Sequence, residues 1–83
     1  MAEKEIGRVS HYFRKIGVAG IELTAPLRVG DTIRIRGFTT DFEQTVESME
    51  LDHQAIEQAK SGQSIGVKVI QRARRNDRVY KVE

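Results

Sequence analysis

The densest chemistry in this sequence is cationic. Arg72, Arg74, Arg75, Arg78 and Lys81 crowd the C-terminal stretch QRARRNDRVYK, with Asp77 as the one acid among them. A guanidinium presents a planar fork that meets phosphate oxygens two at a time, so arginine suits anion recognition better than a generic solubilising charge. Pointed one way, these side chains make a patch for a phosphate backbone. Tyr80 then offers a stacking face, and Arg34 and Arg36 extend the patch across a neighbouring strand. The bland alternative is an arginine-bearing hairpin loop in solvent. Upstream, residues 41–59 carry six carboxylates (Asp41, Glu43, Glu47, Glu50, Asp52, Glu57) and no Lys or Arg. Such a run is either a solvated face or a contact surface for a partner. It becomes an acid–base dyad only where a pocket drives two pKa values apart.

Other chemistries lack their parts. His11 and His53 stand far apart with no clustered ligands, so no metal site is expected. There are no cysteines, hence no disulfide, thiolate metal site or cysteine nucleophile. No serine sits in a nucleophile elbow. No G-x-x-x-x-G-K-[ST] loop is present to cradle phosphates, so the chain does not bind GTP. The expectation is a binding protein without cofactor, not an enzyme. Its 83 residues are read as one domain, 1–83. The opening MAEKEIGRVS has no signal-peptide core, and no run of about 18 apolar residues occurs, which predicts a cytoplasmic protein that does not enter a membrane.

The elements that must position these residues read as strands. Glu5 to Phe13 and Ile16 to Leu23 are rich in β-branched and aromatic residues, and the polar break Arg14-Lys15 suits a hairpin. Pro26 has no N–H and belongs in a connection. Val29-Gly30-Asp31 reads as a turn into Thr32 to Arg36, where Ile33 and Ile35 take one face and Arg34 and Arg36 the other. Gly37 closes that strand. Phe42 to Leu51 is extended, with a bulge near Glu47 or Ser48 keeping Val46, Met49 and Leu51 on the core side. Met49, His53, Ile56 and Ala59 then fall at helical spacing, which predicts one helical turn over 53–60. Ser64 to Ile70 and Arg78 to Val82 complete the set. Tyr12 and Phe13 are expected in the wall or core, with at least one of Phe38 and Phe42. Six short strands with glycine turns predict an all-β fold, a small closed six-stranded β-barrel in which closure protects the edge strands.

Leu27-Arg28-Val29-Gly30-Asp31, followed by TIRIRG, resembles the "L-x-V-G-D-x-h-x-h-x-G" segment of the β-barrel second domain of translation-factor GTPases, h being apolar. Val46 to His53 (VESMELDH) is similar to that family's "V-x-S-h-E-h-x-H" strand, nearest to the one-alpha type of elongation factor. Ala59 to Val67 (AKSGQSIGV) matches its "A-x-x-G-x-x-h-G-h" turn and strand. The three matches keep the family's order and spacing over residues 27–69. The ends depart from it: HYFRKIG replaces a glycine-rich turn, and of the family's "D-h-x-R-G" stretch only Asp77 corresponds well. The same barrel also resembles the small C-terminal domain attached to some collagenase-like peptidases of the RNA-modification type.

The translation-factor resemblance implies a stand-alone, elongation-factor-like module that contacts RNA, either tRNA or the ribosome. In family members that carry charged tRNA, the glutamate at the Glu50 position lies against the acceptor end, and the one-alpha type keeps histidine at the His53 position. The resemblance therefore implies a nucleotide contact by Glu50 and His53. The alternative is a protein-interaction module that docks onto a larger enzyme or complex through the acidic 41–59 face. Fold alone does not choose between them.

Overall fold

The computed structural model describes residues 2–83. Every regular element among them is a strand: β1 (Glu3–Phe13), β2 (Val18–Leu23), β3 (Leu27–Arg28), β4 (Thr32–Arg36), β5 (Asp41–Thr45), β6 (Met49–Leu51), β7 (Gln54–Ile56), β8 (Gln58–Ala59), β9 (Ser64–Lys68) and β10 (Arg78–Val82). Eight of them form one sheet in the order β5-β4-β10-β1-β2-β9-β6-β7, and β3 pairs with β8. All pairings are antiparallel.

The period-2 alternation decides which face is buried. Residues opposite one another line up as inward rows: Val9–Ile21–Ile65, Val79–Ile35–Phe42, and Ala19–Val67–Met49–Ile56. These rows form a single apolar cluster, with Ile56 and Tyr12 packed partly buried against it. Burial of this kind stabilises by about 25 cal/mol per Å² of apolar surface removed from water. Long β1 is shared by both halves of the sheet. Register shifts between Glu5 and Gly7 and between Val9 and His11 bend it, so that its start pairs with β10 and its end with β2.

Three expectations are corrected here. The fold is all-β, but the sheet is not closed into a six-stranded barrel: β5 and β7 end the order without pairing to each other. The helical turn over 53–60 is absent. Asp52 and His53 take left-handed backbone angles (φ 51° and 65°) and reverse the chain into β7. Phe42 to Leu51 is not one bulged strand but β5 and β6, separated at residues 46–48. Among the aromatics, Phe42 is buried and Phe38 fully exposed. Phe13, expected in the wall or core, is the last residue of β1 and faces outward, 47% exposed. No helix among the described residues is long and apolar enough to cross a membrane.

Candidate functional site

Register creates a site on the outer face of the sheet. His11, Gly20, Gly66 and Glu50 stand in line across β1, β2, β9 and β6. The two glycines leave the middle of that row bare, and their backbone becomes the floor of a groove of ≈ 460 Å³. A Cβ on Gly66 would lie 3.1 Å from Val18 Cγ1, and one on Gly20 would lie 3.2 Å from Ser10 Oγ. Side chains here would both crowd the sheet and fill the trough. The Ser10 hydroxyl donates to the Gly20 carbonyl at 3.2 Å, tightening the floor where β1 bulges.

The two walls differ in chemistry. Phe13, Ile16 and Val18 line the side that belongs to the β1–β2 hairpin. Ile16 is 62% exposed, and Phe13 meets His11 edge-on with centroids 4.5 Å apart. Glu50, Asp52 and His53 line the other side. Leu51 pairs with Gln54 around a two-residue turn in which Asp52 and His53 both have positive φ. Hairpin turns of this hand normally use Asn-Gly or Asp-Gly. A non-glycine residue held there costs on the order of 1 kcal/mol. Neither Glu50 nor Asp52 joins an ion pair among the described residues. Beyond Gly66 the trough continues past Ser48 to Lys68. No three His, Cys, Asp or Glu residues converge on a metal position among the described residues.

A second depression, ≈ 450 Å³, lies between Tyr12, Arg14, Arg72, Ala73, Arg74 and Arg75. The turn after β1 brings Arg14 to arginines 58 or more residues away in sequence. Buried Asp77 accepts the Arg74 amide at 2.8 Å and fixes the loop that carries them. None of these four arginines is ion-paired among the described residues.

The basic residues singled out in the sequence therefore divide. Arg72, Arg74 and Arg75 come together, with Arg14 added. Arg34, Arg36, Arg78 and Lys81 instead meet acids: Arg34 reaches Asp41 and Glu3, Arg36 reaches Glu3, Arg78 reaches Glu5 and Lys81 reaches Asp31. Tyr80 is partly buried beneath Arg36, whose guanidinium carbon is 5.8 Å from the ring centroid. The acidic segment is divided as well. Asp41 is held by Arg34, Glu50 and Asp52 border the groove, and Glu57 lies beside Arg28. Glu50 and His53, named from the resemblance, do share one groove. Gly20, Gly66, Phe13 and Ile16 were not picked out as a site, and the outward-facing glycines of β2 and β9 were the signal available.

No known protein-family profile matches the chain. Over 77 residues, 92% of the chain, it is 48% identical to an uncharacterized protease of Methanocaldococcus jannaschii, and the match takes up 19% of that protein. It is 35% identical over 80 residues, 94% of the chain, to a collagenase of Porphyromonas gingivalis, 22% of which is covered. The chain thus spans about a fifth of the length of the curated relatives it matches. Among solved structures it superposes on the C-terminal domain of a Geobacillus thermoleovorans protein named as a U32 peptidase. The TM-score is 0.90 at 20% identity, with 96% of this chain and 93% of that one covered. The selenomethionine variant of that domain gives 0.87, with 92% and 96% covered. At such identity the likeness is one of fold.

These findings overturn the translation-factor assignment. The relatives carry protease and collagenase names, and the matching solved domain belongs to a protein named as a peptidase. The RNA, tRNA or ribosome partner, expected from that resemblance and from the basic C-terminal stretch, is corrected with it, since the relatives carry protease names. The comparisons lie with the second resemblance, to a peptidase C-terminal domain.

Proposed function

We propose that residues 1–83 form one non-catalytic domain that docks onto the catalytic part of a larger peptidase-family protein. The observation that carries this is the coverage pattern: nearly the whole of this chain corresponds to about a fifth of each protease-named relative. An entire folded unit is thus shared, while most of each relative lies outside it. The docking face is the arginine cluster at Arg14, Arg72, Arg74 and Arg75, none of which is ion-paired among the described residues. It calls for an acidic surface opposite, and its contribution weakens with salt as exposed charges are screened.

The test uses the M. jannaschii relative expressed without its matched segment. That remainder is titrated calorimetrically with this chain and, as a positive control, with the excised segment itself. Saturable binding of this chain is expected, weakened about tenfold or more when the four arginines are replaced by alanine, through loss of charge complementarity. If the relative's own segment binds and this chain does not, the docking role is wrong. If both bind and the arginine variant binds equally well, the assigned face is wrong.

A further inference from the structure

We infer that the groove over Gly20 and Gly66 binds an extended polypeptide segment in which apolar residues alternate with Lys or Arg. The inference deepens the docking role by naming what a second surface would bring to the enzyme. It rests on that role only for the fate of the bound peptide, because binding is measured here without any partner.

The shape comes first. The trough runs along β9, from Ser64 past Gly66 towards Lys68, between β2 on one side and β6 on the other. Five residues of β9 rise roughly 16 Å, the length of an equal number of extended residues laid alongside. Two bare glycines let a backbone come close to the floor. A bulkier folded element would not fit a trough whose walls are single side chains.

The walls then select the side chains. An extended chain sends alternate residues to opposite sides. Lying with its pleat across the trough, it offers one set to Phe13, Ile16 and Val18 and the other to Glu50 and Asp52. The first wall exposes large apolar side chains, for which water is a poor partner. The second holds two carboxylates that join no ion pair among the described residues, so it attracts ammonium or guanidinium groups. Lys68, at the far end, favours a carboxylate or no charge there and sets the direction of the segment. Asp52 completes the acidic wall and His53 stands beside it, both kept in a left-handed turn that glycine would occupy more easily. Strain retained where side chains line a groove is consistent with their being used there.

The experiment is fluorescence anisotropy of the purified chain with labelled, end-blocked peptides. One is a hexapeptide alternating leucine and lysine, the second replaces lysine by glutamate, and the third has the first composition in two blocks. The leucine–lysine peptide is expected to bind with a Kd in the tens to hundreds of micromolar, the glutamate peptide not to bind, and the block peptide to bind more weakly. Glu50→Gln should weaken binding about threefold, as expected for an exposed charge pair. Phe13→Ala should weaken it by a similar factor. Both side chains are exposed, so a circular dichroism spectrum identical to the parent's confirms that the fold is intact. Equal binding of the lysine and glutamate peptides would overturn the proposal, as would indifference to both substitutions. Sedimentation of the chain alone provides the remaining outcome. A dimer that dissociates on Phe13→Ala would assign the groove to a second copy and also defeat it.

Discussion

Asp77 is a buried carboxylate that earns its place by closing a turn. Its Oδ2 accepts the Arg74 amide at 2.8 Å while its own amide donates to the Arg74 carbonyl at 3.1 Å. The same reciprocal pair recurs twice. Asp31 closes on Arg28 at 2.9 and 3.1 Å, and Gln63 closes on Lys60 at 2.8 and 3.2 Å. In each case the third residue has positive φ: Gly30 at 100°, Gly62 at 91° and Asn76 at 75°. A four-residue turn with that angle at its third position favours glycine and tolerates asparagine. The turn at 74–77 is the one that presents Arg74 and Arg75, so its integrity and the docking face are linked. Asp77→Ala should cost about 1–3 kcal/mol, since it leaves a partly buried amide without its acceptor. Gly37→Ala should also destabilise, because a Cβ there would overlap the Asp77 carboxylate. Gly62 is an informative control: a Cβ there meets nothing within 4 Å, so alanine costs only the strain of its positive φ. Urea denaturation midpoints would rank the three. Gly37→Ala matching the parent would show that Asp77 moves aside freely.

Between elements, the open edge of the sheet is bridged by one side chain. Gln44 on β5 donates through Nε2 to the Lys68 carbonyl at 2.8 Å and accepts the Ile70 amide on Oε1 at 2.8 Å. An amide side chain thus takes the place of a backbone pair where the first strand of the order approaches the end of β9. Gln44→Ala removes both bonds and should cost about 1–2 kcal/mol. It should also raise hydrogen exchange at the Ile70 amide selectively, and an unchanged exchange rate there would show that the bridge is not formed in solution. The same level explains what could be read in advance. Strands β4 and β10 were legible to the residue, because Ile33 and Ile35 alternate with arginines and Val79 is flanked by polar neighbours. The 53–60 segment misled because a hairpin centred between Asp52 and His53 sets Met49 opposite Ile56, while Ala59 reaches the core through β8. Those apolar residues, three to seven apart, imitate helical spacing although they come from three different strands. The groove was hidden for a related reason. His11, Gly20, Gly66 and Glu50 are neighbours only through register, which depends on the shift between Val9 and His11 in β1 and on each pairing from β1 through β2 and β9 to β6.

Across the whole molecule, a small net charge of +2 conceals two unlike surfaces. The outer face of β5, β4, β10 and β1 is nearly self-neutralising. Arg34 grips Asp41 through two bonds of 2.9 and 3.1 Å and also reaches Glu3 at 3.2 Å, and Glu3 takes Arg36 at 3.2 Å. The arginine depression has no such ion pairs among the described residues, which is why it, and not the longer list of basic residues, is the face proposed for docking. The self-paired face carries its own pH signature. The Arg34 hydrogen bond, aided by Coulomb attraction from Arg34 and Arg36, holds the Asp41 carboxyl below its ordinary value. A carboxyl depressed in the fold leaves the unfolded chain binding more protons through that interval, so stability rises with pH there. The contribution is fully present above the unfolded value and disappears as pH falls through the lower, folded one. Asp41 is exposed, so the effect is modest and screened by salt. Urea midpoints measured down a pH series should fall on acidification in low salt. Asp41→Asn should flatten that fall, and about 1 M salt should do the same to the parent, because it shortens the Debye length to ~3 Å. A slope identical in parent and Asp41→Asn would mean that the paired face contributes nothing measurable to folding. The separation of charge into a compensated sheet face and an uncompensated loop would then concern binding alone.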